Sequence, residues 1–536
     1  MRLVAQNGKI TSKVHLNLIL QNSKLVFESL NLTLKYILCY LCCMCAKIKV
    51  NSSPGVSLLE ALREKGAYVP SPCGGKGICG KCKVDVEGLG VVRACGFYPD
   101  HDIVVNVPEP SVMQVLTESF WPDPEPVRDV FPQFDPRFLG LAVDLGTTTV
   151  VVFLDDLRSH RNIGITSFPN PQHAYGADVV SRIQFCRENR EGTIRLHKEI
   201  VSAIEQAAAG LCAQNGFVPG QAGRMVVTGN PTMLHLFKGV NPESLAVYPF
   251  TPVFLEEQNL TGAEIGFSSF PEAMIEMVPS VSSYIGADIV AGLASVLLNP
   301  PPGWSLFLDI GTNGEMVLWN GSEILACATA AGPAFEGARI SCGMAGIEGA
   351  VCAIGPDGYV TIGGKPAIGL CGSGLVDAVA LLLDAGKIDV MGYMVENEEL
   401  ISAVRLSLSP QDIREVQLAK GAIAAGIKVL MLVAGIVAED VRQVFMAGGF
   451  GYALHDWSAG RIGLIPGGLE KRQIRAGNTS GLGARLWLHS GEFRNYTREL
   501  AGRIQYVELS DHPEFNDLFM WEMTFPENTA VPLRNI

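Results

Sequence analysis

The sequence predicts an α/β protein: a two-lobed core over residues 139–536, preceded by a small α+β domain over 46–108. Three observations carry this expectation. The stretch LGLAVDLGTTTVVVFL at 139–154 is echoed by SLFLDIGTNGEMVLWNG at 305–321, each an apolar strand, an Asp-Leu/Ile-Gly-Thr turn and a second apolar strand. The two aspartates, Asp144 and Asp309, lie far enough apart for two related lobes rather than a short solenoid repeat. Between and beyond these hairpins, apolar strands alternate with longer helical segments. Ahead of them, the stretch CGGKGICGKC at 73–82 sits in a module of its own.

Residues 1–45 show short β-rich runs such as KVHLNLIL and KLVFES, and are assigned to no domain. KIKVNSSPGVSLLEALREKG then reads as strand, turn and amphipathic helix, and DHDIVVNVPEP as the strand closing the module. Residues 109–138 are rich in Pro, Asp and aromatics and read as a linker. The apolar run YILCYLCCMCA at 36–46 is too short to span a bilayer. GAIAAGIKVLMLVAGIVA at 421–438 carries Lys428 at its middle and reads as a core helix, so no membrane insertion is expected.

A net charge of -13 argues against nucleic-acid binding, which needs a basic surface for the phosphate backbone. The 14 cysteines are uneven. Cys39, Cys42, Cys43 and Cys45 cluster early, Cys73, Cys79, Cys82 and Cys95 follow, and the rest are scattered between Cys186 and Cys371. In a chain of 536 residues this is no secreted disulfide framework, and a reducing, cytoplasmic setting is expected.

Cys73, Cys79 and Cys82 have the spacing C-x5-C-x2-C, and Cys95 follows after twelve more residues. Four thiolates can hold two irons and two sulfides where the backbone wraps closely, and Gly74, Gly75, Gly77 and Gly80 permit that wrapping. Zinc is the alternative, but its sites usually present two CxxC-like pairs, and here only Cys79 and Cys82 form one. PSPCGGKGICGKCKV resembles the loop of plant-type and adrenodoxin-type [2Fe-2S] ferredoxins. That resemblance implies Cys73, Cys79, Cys82 and Cys95 as ligands. It also leaves Cys95 the least supported, since the family places roughly thirty residues before its last ligand. The run CYLCCMC at 39–45 is read as apolar packing rather than as further ligands. No GxGxxG fingerprint marks an internal flavin or nicotinamide site, so the electron donor is expected to be another protein.

In the first hairpin, Asp144 ends a strand, and Gly146 starts a turn whose amides and Thr147, Thr148 and Thr149 hydroxyls can face phosphate. Asp309, Gly311, Thr312 and Asn313 repeat this arrangement, and the two aspartates can anchor Mg2+ directly or through water. VFMAGGFGYALH at 444–455 runs a strand into Gly448 and Gly449, where a nucleotide can approach the backbone. Together these pieces resemble the ATPase superfamily of acetate and sugar kinases, Hsp70 and actin, with its two phosphate motifs and adenosine motif. The resemblance implies an actin-like, ribonuclease H-like ATPase core that binds ATP. Glu315 polarises a water or is simply a hairpin surface acid. Asn230 meets nucleotide or partner, or caps a turn, and His235 is read as packed. Gly372 and Gly374 of CGSG are expected to line the nucleotide cleft beside a buried Cys371, and Glu336 is the acid of interest in GPAFEGA.

A ferredoxin-like domain fused to this ATPase resembles the reductive activators of corrinoid proteins. The segments FPNPQHAYGADVVSRI, VVTGNPTMLHLF, YIGADIVAG, AGPAFEGARISCGMAG, GLCGSGLVDAVA and GRIQYVELSDHPEF carry that likeness from residue 46 to about 520. It implies ATP-driven transfer of one electron to Co(II), giving Co(I), in a corrinoid protein or corrinoid-dependent methyltransferase system, by a homodimer. A small middle domain common in the family is expected to be lost or trimmed, because about 44 residues separate Cys95 from GLAVDLG. Three other classes compete: a nucleotide-dependent sensor or scaffold with a degenerate cluster site, an activator of another low-potential metalloenzyme, and a small-molecule kinase. The last leaves the cysteine loop unexplained.

Overall fold

The computed structural model describes residues 45–65, 67, 69, 71, 75, 77, 82–108, 126–300, 302–356 and 358–527. The early cysteines Cys39, Cys42 and Cys43 lie outside these residues, as do Cys73, Cys79, Gly74 and Gly80. The chain divides into two compact units.

The small unit is a four-stranded sheet of order β1-β4-β2-β3, formed by β1 (Cys45–Val50), β2 (Lys83–Val86), β3 (Gly90–Arg93) and β4 (Ile103–Pro108). All its pairings are antiparallel. The helix Leu58–Glu64 starts at Ser57, which accepts from the Glu60 amide while the Glu60 carboxylate accepts in return from the Ser57 amide. It buries Leu58, Leu59 and Leu62, and these join Val50, Val84, Val86 and Val105 in a separate small core.

The large unit repeats one plan twice. Its first sheet has the order β7-β6-β5-β8-β10-β9. Here β5 (Leu139–Leu145), β6 (Thr149–Asp156) and β7 (Arg161–Pro169) form an antiparallel meander. β8 (Ala222–Gly229) runs parallel to β5, and β9 (Gln258–Thr261) and β10 (Met274–Met277) complete the sheet. After these, β11 (Trp304–Ile310), β12 (Gly314–Trp319) and β13 (Ile324–Thr329) form the second meander. A small sheet of β14 (Ala350–Gly355), β15 (Gly358–Thr361) and β16 (Gly369–Leu370) follows, then the hairpin of β17 (Glu398–Ile401) and β18 (Leu406–Leu408). β19 (Val441–Ala447) runs parallel to β11, and with β20 (Gln473–Gly477) and β21 (Gln505–Tyr506) it completes a sheet of order β20-β19-β11-β12-β13-β21. In both sheets the strand carrying the first Asp of a hairpin lies centrally and is buried on both faces, which explains its unbroken apolar run.

Two helices carry polar residues to the cleft end of the first sheet. Ala287–Val296 and Thr479–His489 cross so closely that a Cβ on Gly483 would lie 2.3 Å from the Ala291 carbonyl oxygen. The helix Pro410–Ala434 is long and apolar enough to cross a membrane by length and composition, yet it is largely buried in the unit. Its Lys428 pairs with Glu522. Residues 126–138, expected as linker, are partly docked: Arg494 binds the Asp129 carboxylate at 2.5 Å and the Ser490 hydroxyl donates to the Val127 carbonyl.

Asp155, at the end of β6, is fully buried and shared by His489 (2.8 Å), Arg485 (2.9 Å) and Asn162 (2.7 Å). Burial alone would raise its pKa, but the His489 hydrogen bond and the Arg485 charge outweigh it and hold the group below its ordinary 3.8. Its stabilising contribution is therefore present above that value and is lost as pH falls through the lower folded value. Asp155→Ala is expected to destabilise the large unit by about 3 kcal/mol, read as a drop in urea midpoint at pH 7.

Candidate nucleotide site and cluster loop

The first hairpin turn is tight: the Gly146 amide donates to the Thr149 carbonyl at 3.0 Å, and a Cβ on Gly146 would sit 2.5 Å from that oxygen. Three successive turn carbonyls are tied back into the protein. Asn170 donates to the carbonyls of Gly146 (2.9 Å, side chain) and Thr148 (2.8 Å, amide), and the buried Arg182 donates to that of Thr147 at 2.5 Å. With its carbonyls occupied, the turn offers an incoming anion amides and hydroxyls. Asn230 both caps the helix Pro231–Lys238, accepting from the Met233 amide, and donates to the Thr147 hydroxyl at 2.9 Å.

In the second hairpin the Gly311 amide donates to the Asn313 carbonyl at 2.8 Å. Glu336 reaches both hairpins: it accepts from the Thr148 hydroxyl (2.9 Å), the Thr312 hydroxyl (2.7 Å) and the Thr312 amide (2.9 Å).

Four acids line the floor between these turns, each deeply set yet half-buried rather than sealed: Asp144, Asp288, Asp309 and Glu315. Asp309 is pushed up to about 7 by burial and then by the Asp144 charge. Asp288 reaches about 7 through burial, Asp309 and Asp144. Glu315, the register partner of Asp309, lies well above the usual range through burial and the charges of Asp288 and Asp309. It is thus an acid of the cleft rather than of the hairpin surface. Burial raises Asp144 as well, against hydrogen bonds from Ser480 (2.7 Å) and Asn478. Crowded acids in low dielectric hold protons unless a cation lets them ionise. Among the described residues no three His, Cys, Asp or Glu are grouped so as to hold a metal ion by themselves.

Asp288, Asn478 and Ser480 were not singled out in the sequence. The available signals were Gly-Ala-Asp at 286–288 and Gly-Asn-Thr-Ser-Gly at 477–481, each opening a helix. Gly286 is needed there, since a Cβ would lie 2.5 Å from Asp288 Oδ1 and 2.6 Å from the Asn230 Cα.

Gly448, at φ +72°, presses against the site: a Cβ would lie 2.8 Å from Asp309 Oδ1, while Gly449 faces open space. Packing accounts for Gly372, whose Cβ would meet the Phe335 carbonyl oxygen at 2.1 Å and the Phe450 ring at 2.8 Å. Gly374 likewise abuts the Val351 carbonyl. His235 is buried and bonded to the Pro231 carbonyl and the Val253 amide, a packed residue as expected.

In the small unit, Cys82 immediately precedes β2, and Cys95 lies in the turn Ala94–Gly96 directly after β3. The Ala94 amide donates to the Cys82 carbonyl at 2.8 Å, and Lys83 pairs with Arg93 in register. The twelve intervening residues are therefore a hairpin that returns Cys95 to the side of Cys82. In the segment Pro70–Lys81, which groups with the large unit, Gly75 and Gly77 take φ of +95° and +78°, the left-handed conformation open to glycine. The β2–β3 hairpin brings two candidate thiolate ligands to one end of the small sheet.

Comparisons with known proteins agree with this geometry. A family profile described as the 2Fe-2S iron-sulfur cluster binding domain matches residues 43–102. One described as the RACo middle region matches 139–299, and one described as the C-terminal domain of RACo, the ASKHA domain, matches 303–535. The region described as middle thus coincides here with the first sheet and its helices. The molecule is an ASKHA-type ATPase core, the class of actin, Hsp70 and sugar kinases, preceded by a ferredoxin-like [2Fe-2S] domain. The chain is 31% identical over 427 residues to the corrinoid activation enzyme RamQ of Eubacterium limosum, covering 73% of this chain and 71% of the relative. It is 27% identical to the [Co(II) methylated amine-specific corrinoid protein] reductase of Methanosarcina barkeri, over 72% of this chain and 77% of the relative. A solved structure titled reductive activator for corrinoid, iron-sulfur protein superposes with a TM-score of 0.68 at 29% identity, covering 89% of this chain and 98% of the other. This chain belongs to the RACo-like family of reductive corrinoid activators.

Proposed function

We propose that this protein hydrolyses ATP between its two hairpins and uses that cycle to deliver one electron to the Co(II) of a corrinoid protein, giving Co(I). The observation that carries this reading is one chain holding both parts: Thr147, Thr148 and Thr312 turned toward an acidic cleft, and a hairpin that sets Cys95 beside Cys82. The relatives named for corrinoid activation share most of its length.

Cys73, Cys79, Cys82 and Cys95 would hold a [2Fe-2S] cluster, which would supply one electron per cycle from a reduced donor protein. The hydroxyls of Thr147, Thr148 and Thr312 and the turn amides beyond those of Gly146 and Gly311 bind the phosphates, and Gly448 and Gly449 let the nucleoside end approach the backbone. Asp144 and Asp309 would hold a Mg2+ ion that neutralises phosphate charge, and Glu315 and Asp288 orient the attacking water. That water adds to the γ-phosphorus, the bond to the β–γ bridging oxygen breaks, and ADP and phosphate leave.

Reducing corrinoid Co(II) is uphill for an ordinary ferredoxin-type donor. A clamp that grips the corrinoid protein and alters cobalt's axial ligation raises its potential. ATP drives this clamp only through its difference in affinity for the gripping and releasing states. The partner is a corrinoid protein or corrinoid-dependent methyltransferase system, and the working form is a cytoplasmic homodimer. The test is ATP turnover of the reduced protein with and without a Co(II) corrinoid protein. A marked rise on adding the partner is expected, and turnover indifferent to the partner favours a nucleotide-dependent scaffold instead.

A further inference from the structure

We propose that Glu336 is a latch that holds the two phosphate hairpins together, and that the terminal phosphate of ATP competes for its partners and displaces it. The inference rests on the nucleotide reading above and adds a residue that competes with the ligand. One carboxylate accepts from both hairpins at once: from the Thr148 hydroxyl on one side, and from the Thr312 amide and hydroxyl on the other. These are the donors a phosphate oxygen would take, and a carboxylate resembles that oxygen in charge and in hydrogen-bond length. Both cannot have them together, and two anions at one place repel.

The loop that carries Glu336 is fixed at both ends and tied to the nucleoside side of the cleft. The turn Pro333–Glu336 lies between Gly332 and Gly337, at φ +78° and +79°. A Cβ on Gly337 would sit 2.3 Å from the Met344 amide nitrogen, so the loop passes the Met344 backbone with no room for a side chain. Phe335 stacks on Phe450, ring centroids 4.9 Å apart, and Phe450 directly follows Gly448 and Gly449. Gly372 lies between the Phe335 carbonyl and the Phe450 ring, where a side chain would clash with both. A nucleoside seated at Gly448–Gly449 therefore bears on Phe450, then Phe335, then the acid beside it. Phosphate and nucleoside act on the same latch from two directions.

Removing the carboxylate frees three donors and one negative charge, so a polyphosphate binds more tightly, the opposite of what loss of a structural residue or of a metal ligand would give. The experiment measures equilibrium binding of MgATP, and of pyrophosphate in EDTA, to the full chain as wild type, Glu336→Ala and Glu336→Gln. Thermal melts by circular dichroism accompany each protein. Glu336→Ala is expected to bind pyrophosphate about tenfold more tightly. Glu336→Gln, which keeps the shape and loses the charge, lies between and keeps the test intact if the alanine variant is poorly folded. If wild type binds ATP while the folded variants bind pyrophosphate equally or more weakly, the latch is overturned and the nucleotide reading stands. If none of the three proteins binds ATP, the nucleotide reading itself fails and the latch with it.

Discussion

Asp309→Asn is expected to lower ATP turnover by about a thousandfold while leaving the iron content of the protein unchanged. Asp309 lies near the end of the central strand of the second sheet, faces Glu315 across the hairpin and lies against Gly448, so it joins the second hairpin to the nucleoside-side strand. Burial and Asp144 already press its carboxyl toward neutrality, which marks a group whose charge needs a cation nearby. The asparagine keeps the shape and removes that charge, so folding is preserved and Mg2+–phosphate positioning is lost. Phosphate release at saturating MgATP measures the effect. Turnover equal to wild type would remove Asp309 from the site.

Cys95→Ser separates the two halves of the molecule in the other direction. With one thiolate gone, the cluster loop is expected to lose most of its iron and the [2Fe-2S] signal in the EPR spectrum of the reduced protein, while basal ATP turnover stays at the wild-type level. The structural ground is the hairpin of β2 and β3, which returns Cys95 to Cys82 across the Ala94–Cys82 hydrogen bond. A variant that keeps the full signal would show that the fourth ligand is another residue.

The two hairpins were legible because turn chemistry and strand pattern coincide in them: each Asp-Leu/Ile-Gly-Thr interrupts apolar runs that only a doubly covered strand would carry. The short interval before Cys95 looked like a deficit when compared with ferredoxins by length alone. Its own pattern, VDV then EGLG then VVR, spells a hairpin, and Gly88 and Gly90 take the positive φ angles such a turn needs. Asp288 and Ser480 were hidden for a different reason. An acid or a serine in the first turn of a helix is ordinary capping chemistry, and only the close crossing of their two helices, through Gly292 and Gly483, brings both to the cleft. Glu336 was visible as an acid in a glycine-bounded loop, but its partners lie in both hairpins, far away in sequence. Of the linker expected over 109–138, the described residues 126–138 include Asp129, which finds Arg494 and the start of the helix Gly491–Arg503.

The most direct test of the central claim is the visible spectrum of a Co(II) corrinoid protein mixed anaerobically with this protein and a reduced electron donor, recorded with and without MgATP. Growth of the Co(I) band only when MgATP is present, and only with the cysteine loop intact, is the expected result. Co(I) appearing equally fast without ATP, or not at all with it, would contradict an ATP-driven electron activator.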